Sequence, residues 1–174
     1  MLHAAVELAA AGGYEAVQMR SVAETADVAL GTLYNYFSSK DHLLAAALVS
    51  WNDLLRTSIE ADPPHGTTTA ARFDDVLSRA LTAMLSAPDV SKAMVTAMMS
   101  SSDDVARCKE HLNGSMGAIL DAAFGADDGP TYRATVSRTV EHVWYSVLIG
   151  WVNNWLDDSE VEQELTDAVH LILR

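Results

Sequence analysis

An all-α protein is predicted, on three observations. Apolar residues recur at helical spacing along almost the whole chain. No stretch sustains the period-two alternation that a half-buried strand needs. Half of the 174 residues are hydrophobic (49%), enough for a sizeable core and too many for a disordered chain. There is no internal repeat and no low-complexity run. About nine helices are expected: a three-helix N-terminal domain over residues 1–45, then a larger helical domain over 46–174, with the helix at 40–61 bridging the two.

The first helix spans about Leu2 to Ala11, with Leu2, Val6 and Ala9 or Ala10 as its apolar stripe, and Gly12-Gly13 stops it. Its abrupt first turn reads as though chain preceded it. A second helix covers Met19 to Ala26, a turn passes through Asp27 and Val28, and a third runs from Leu30 to Tyr36. Ser38-Ser39 precedes a long helix from Lys40 to about Ala61, with Ser38 as its cap and Asp41 completing a capping-box-like pair. Asp62-Pro63-Pro64-His65-Gly66 then breaks the chain. Further helices are expected near 70–86, 88–101, 103–124, 131–156 and 159–173, the last with Ser159 and Glu162 at capping-box spacing.

Charge narrows the function classes. Eleven Lys and Arg stand against 24 Asp and Glu, a formal net charge of −13. A basic surface over the whole molecule is excluded, so any nucleic-acid contact must be small and local. A single cysteine, Cys108, rules out a disulfide within the chain and fits a reducing cytoplasm, the expected location. No run of about 18 uncharged apolar residues occurs, so no membrane partner is expected.

The informative segment is Met19 to Lys40. Val22, Ala23 and Ala26 on the earlier helix can pack on Val28, Leu33 and Phe37 of the later one, across a turn of three residues. That is a helix-turn-helix, which projects its second helix outward. Leu33 and Phe37 claim the buried stripe, so at least one of Tyr34 and Tyr36 must face out. Gly31 leaves room for another backbone, and Thr32 offers a hydroxyl beside it. Lys40, in the first turn of the long helix, opposes that helix's dipole, and a bound phosphate would relieve the conflict. Thr32, Tyr36 and Lys40 thus read as a phosphate clamp around a helix lying in the major groove.

These residues carry a family resemblance. Gly13-Tyr14, M-R-S-V-A and above all G-T-L-Y-N-Y-F-S-S-K-D-H-L-L resemble the DNA-binding domain of TetR-family transcriptional repressors in order and spacing. Within that family, V-A-L-G-T-L-Y-N-Y-F and V-W-Y-S-V-L-I-G-W resemble the actinobacterial repressors of cholesterol and steroid catabolism. The resemblance implies that Thr32, Tyr36 and Lys40 contact phosphates and that Arg20 reaches a phosphate or a guanine edge. It also implies that Ala29, Leu30 and Asn35 face bases, with Gly31 and Tyr34 on the same surface. Asn pairs with adenine, whereas Ala and Leu meet a thymine methyl. One departure is charge: residues 1–61 hold Arg20, Lys40 and Arg56 against seven carboxylates. Weak, strongly salt-sensitive DNA binding is therefore expected unless a basic arm upstream of Met1 contributes.

For the larger domain the resemblance implies a divergent fold that binds an apolar small-molecule effector and forms a homodimer. Met and Trp residues supply an adaptable apolar interior. Candidate lining residues are Phe73, Leu77, Leu81, Met84, Met94, Met98, Met116, Leu120, Trp144, Leu148 and Trp151, with Asn113, Tyr145 and Thr96 as candidate polar anchors. Trp144, Trp151 and Trp155 are read as one face of the 131–156 helix. Val140, Val143 and Val147, with Leu165, Val169 and Ile172 of the last helix, are the candidate dimer face. The implied function is a ligand-responsive regulator of a palindromic operator, released by a steroid or acyl intermediate or its coenzyme A thioester. Effector binding would shift the spacing of the two reading heads, with the 40–61 helix as lever.

No enzyme is expected. The six histidines form no metal-binding spacing, Cys108 stands alone, and neither G-x-S-x-G nor a phosphate-cradling Gly-rich loop occurs. No cofactor and no metal are predicted. The rival is a dimeric helical carrier of an apolar molecule that does not bind DNA. It would explain the charge and the apolar interior, but not Lys40 beside Thr32 and Tyr36.

Overall fold

A computed structural model describes residues 1–173. Among them are nine helices and no strand: α1 (Leu2–Ala16), α2 (Met19–Thr25), α3 (Leu30–Tyr36), α4 (Lys40–Ala61), α5 (Thr69–Leu85), α6 (Pro88–Ala97), α7 (Asp103–Asp121), α8 (Pro130–Val152) and α9 (Asp158–Ile172). The all-α architecture is the predicted one. Two compact units form, one from residues 1–51 and 86–112, the other from residues 52–85 and the chain from Asn113 onward.

In the first unit α1 packs on α6. Ala4, Ala5 and Ala9 meet Val90, Ala93, Met94 and Ala97, all under 8% exposed. Small side chains let the two backbones approach closely. The buried face of α1 is thus the alanine row, and Leu2 and Val6 are only half-buried at its margin. The chain leaves helical geometry at Gly12 and Gly13. Gly13 has φ 64° and ψ −158°, a conformation open in practice only to glycine. The predicted stop is therefore real, and Tyr14–Ala16 form a separate last turn. Val22, Ala23 and Leu33 close the α2–α3 pair, each at most 3% exposed.

In the second unit α9 packs against α5 and α8. Phe73, Val76, Leu77, Ala80, Leu81 and Met84 line one face of α5, and Val161, Leu165 and Val169 one face of α9. Arg72 and Arg133 hold the turn between α7 and α8. Arg72 Nε donates to Ala123 O at 2.6 Å, and Arg133 Nη2 to Gly125 O at 2.6 Å.

Three local expectations need correction. α8 ends at Val152, not near 156. Asn154 takes φ 57°, and the N–H of Trp155 turns back to Gly150 O at 2.8 Å. Trp155 therefore leaves the α8 face and is 72% exposed. The cap of α9 is Asp157, not Ser159. Its carboxylate accepts from the backbone of Ser159 and Glu160, while the Glu160 side chain accepts from the Asp157 N–H. Ser39, not Ser38, caps α4: its hydroxyl accepts from the His42 N–H at 3.1 Å.

Candidate functional site

The surface of α3 follows from which of its residues the core consumes. Leu33 is fully buried and Phe37 packs beside it, its ring 5.4 Å from that of His42. Their neighbours must then point outward. Ala29, Leu30, Gly31, Thr32, Tyr34, Asn35 and Tyr36 are all exposed, with Tyr34 at 50% and Tyr36 at 66%. No atom lies within 4 Å of where a Gly31 Cβ would stand. Arg20 projects from α2 with its side chain 84% exposed, loosely paired with Glu24 at 3.9 Å. The result is a seven-residue helix offering two phenols, a hydroxyl, an amide and one aliphatic side chain, without a charge of its own.

Lys40, for which a bound phosphate is the expected relief, also has partners within the chain. Its Nζ lies 3.7 Å from the centre of the Tyr14 ring, donates to Tyr14 O at 3.4 Å and sits 3.8 Å from Glu15. The last turn of α1 thus supplies a π face, a carbonyl and a carboxylate. Tyr14 in turn donates its hydroxyl to Asp41 Oδ1 at 2.5 Å. Burial, and then that carboxylate, hold the Tyr14 phenol well above its ordinary pKa. Asp41 is therefore a partner for Tyr14 rather than half of a capping pair.

A second cluster ties the turn after α3 to the start of α7 within the same unit. The Ser38 hydroxyl donates to Asp104, which also pairs with Arg107 and lies 3.9 Å from His42. The Ser38 N–H donates to His42 Nδ1 at 3.3 Å. The Ser38 hydroxyl, with His42 and Arg107, keeps the Asp104 carboxyl below its usual range. Neither cluster was foreseen. Gly13-Tyr14 stood in the sequence as part of a motif, but its partners lie more than twenty residues away.

The candidate effector residues divide between the units. Phe73, Leu77, Leu81, Met84, Leu120, Trp144, Leu148 and Trp151 are buried in the second, Met116 is half-buried and Asn113 is exposed. Met94 and Met98 sit instead in the first unit, Met94 against the α1 alanines and Met98 with Ala45 and Val105. Trp151 is held in place, its Nε1 donating to Asp158 at 2.8 Å. Of the candidate dimer residues, Val140, Val147, Leu165 and Val169 are at most 4% exposed within the single chain, while Val143 and Ile172 are half-buried. The large apolar side chains that α8 and α9 leave exposed are Tyr132, Tyr145 and Leu171. Among the described residues no helix is long and apolar enough to cross a membrane, and no group of His, Cys, Asp and Glu could hold a metal ion.

An uncharged, outward-facing second helix on a helix-turn-helix, joined to a larger helical part, defines a DNA-binding regulator. Residues 1–47 match the family described as "Bacterial regulatory proteins, tetR family", and residues 66–172 match "Tetracyclin repressor-like, C-terminal domain". The chain is 35% identical to the HTH-type transcriptional repressor KstR of Rhodococcus jostii, over 99% of this chain and 81% of that protein. A TetR transcriptional regulator from Rhodococcus sp. RHA1 superposes with a TM-score of 0.82 at 29% identity, over 99% of this chain and 92% of that one. Thermus thermophilus FadR in complex with lauroyl-CoA shares the fold, with a TM-score of 0.73 at 18% identity, over 99% and 91% of the two chains. The chain belongs to the TetR family, and it is a transcriptional regulator rather than an enzyme.

Proposed function

We propose that the chain is a repressor that binds a palindromic operator as a homodimer and leaves it when an apolar effector binds. Residues 1–45 act as the reading head and residues 46–174 as the effector and dimer part. The observation that carries the reading is the exposed face of α3, in a chain that matches a named repressor over nearly its whole length. Asn35 pairs with an adenine edge, and Leu30 and Ala29 meet thymine methyls. Thr32, Tyr36, Arg20 and Lys40 hold phosphates, Lys40 by exchanging Glu15 for a phosphate oxygen. Two such heads engage half-sites about one DNA turn apart.

The effector is a steroid or acyl intermediate, free or as its coenzyme A thioester. The buried Phe, Leu, Met and Trp side chains of the second unit support an apolar body. The lauroyl-CoA complex of Thermus thermophilus FadR illustrates that the fold can house an acyl thioester. Effector binding favours a head spacing that the operator does not fit, by as much as its affinities for the two states differ, with α4 as lever. The protein works in the cytoplasm.

A mobility-shift assay on DNA from upstream of the protein's own gene tests this. The wild-type protein retards the fragment, and a steroid or acyl probe releases it. Replacing both Tyr36 and Lys40 with Ala abolishes retardation while sedimentation still reports a dimer. Undiminished retardation by that variant would remove α3 from the interface.

A further inference from the structure

One side chain of the second unit is conspicuous for what it lacks. Asn52 on α4 is 2% exposed, and its Nδ2 makes no hydrogen bond. A buried amide donor without an acceptor is disfavoured, and most such groups in folded proteins find a partner. Its position sharpens the puzzle. Ala45, Leu48, Asn52 and Ile59 recur at i, i+3, i+7 and i+14, the apolar stripe of α4. Leucine, close to asparagine in size, would satisfy that stripe without leaving a polar group unpaired.

The adjoining stretch of α7 is rich in small residues. Ser115 donates to Asp53, the residue after Asn52, at 3.3 Å, so this level of α4 lies beside residues 113–118. Their sequence is N-G-S-M-G-A. A Cβ at Gly114 would meet nothing within 4 Å, and one at Gly117 only the tip of Glu141, at 3.6 Å. Glycine inside a helix costs stability, and here neither glycine is needed for close contact with another backbone. Gly114 is exposed and Gly117 faces Glu141 of α8, while the buried residue turned toward α4 is the small Ser115.

We propose that Asn52 is the hydrogen-bond donor that recognises a carbonyl oxygen of the effector. This deepens the effector reading given above and rests on it. The class narrows to an apolar body bearing a ketone, ester or thioester carbonyl presented to α4. When such a molecule binds, Nδ2 gains its missing acceptor. A hydrocarbon of the same shape leaves the amide unpaired and binds less well.

Matched probes test this, read by quenching of tryptophan fluorescence. In the steroid arm the pair is 4-cholesten-3-one and 4-cholestene. In the acyl arm it is lauroyl-CoA and the dodecyl-CoA thioether, which lacks the carbonyl. The expected result is that, in at least one arm, the wild-type protein prefers the carbonyl probe at least about tenfold. Asn52→Leu and Asn52→Ala should erase that preference while still binding the carbonyl-free member, and the arm that responds identifies the source. Equal affinities within both pairs for the wild-type protein would overturn the assignment, as would a preference that survives in the variants. Should one variant fail to fold, the wild-type comparison and the other variant decide. Binding of none of the four probes would instead overturn the apolar-effector reading, and the anchor with it.

Discussion

Lys40 is held by the Tyr14 ring, the Tyr14 carbonyl and Glu15, which a phosphate bound as proposed would have to displace or supplement. Its carboxylate neighbour, Glu15, has its side chain 87% exposed, so the pair is weak, on the order of 0.2–1 kcal/mol. Removing that competitor should help DNA binding slightly. Glu15→Gln is expected to tighten operator binding by about two- to fivefold at low salt, measured by fluorescence anisotropy, with the gain fading as salt rises. Weaker binding by this variant would mean that Glu15 positions Lys40 rather than competes for it. Tyr14→Phe keeps the π face but frees Asp41 from its hydroxyl partner, and a half-buried acceptor loses its donor. Its thermal midpoint should fall by about 2–6 °C, followed by circular dichroism.

The helix termini carry the acid sensitivity of the elements. The backbone N–H of Glu160 and the Ser159 hydroxyl hold Asp157 below its ordinary range, and the Ser38 hydroxyl does the same for Asp104. A carboxylate depressed in the folded state adds stability that is complete above its unfolded pKa of about 4, and that is lost as pH falls through the folded value. Denaturant titrations should therefore show Asp157→Asn and Asp104→Asn less stable than wild type at pH 7, with the difference shrinking below about pH 4. A constant difference across that range would mean that neither charge matters. The element scale also shows what the sequence could reveal. Pro88 and Pro130 each stand at the first turn of their helices, and Gly12-Gly13 ends the first run, because backbone chemistry acts locally. Asp157 and Ser159 both suit a cap, and only the backbone path chooses between them. α8 stops through Asn154 in a left-handed conformation, which periodicity does not register.

Over the whole molecule, the outward face of α3 was legible because Leu33 and Phe37 exhaust its buried side. The partners of buried residues were not. Periodicity tells that Met94 and Met98 are inside, but not that they lie with α1 and α4 of the first unit. Lys40 against Tyr14 and Ser38 against Asp104 depend on the same long-range assembly. The net charge of −13 has its own consequence. On the proposed function, a dimer offering Arg20 and Lys40 from each head would neutralise about four phosphates, and log Kobs should fall with log salt at a slope of roughly −3 to −4. A slope near zero would show that no phosphate is held.

Gly13 sets a limit of a different kind, on variation. Its backbone occupies a region closed to every residue with a side chain, and the turn it sets up carries the ring beneath Lys40. In a saturation library selected for a silenced reporter gene, codon 13 should come back almost wholly as glycine, while the open position at Gly129, before α8, tolerates a broad range of replacements.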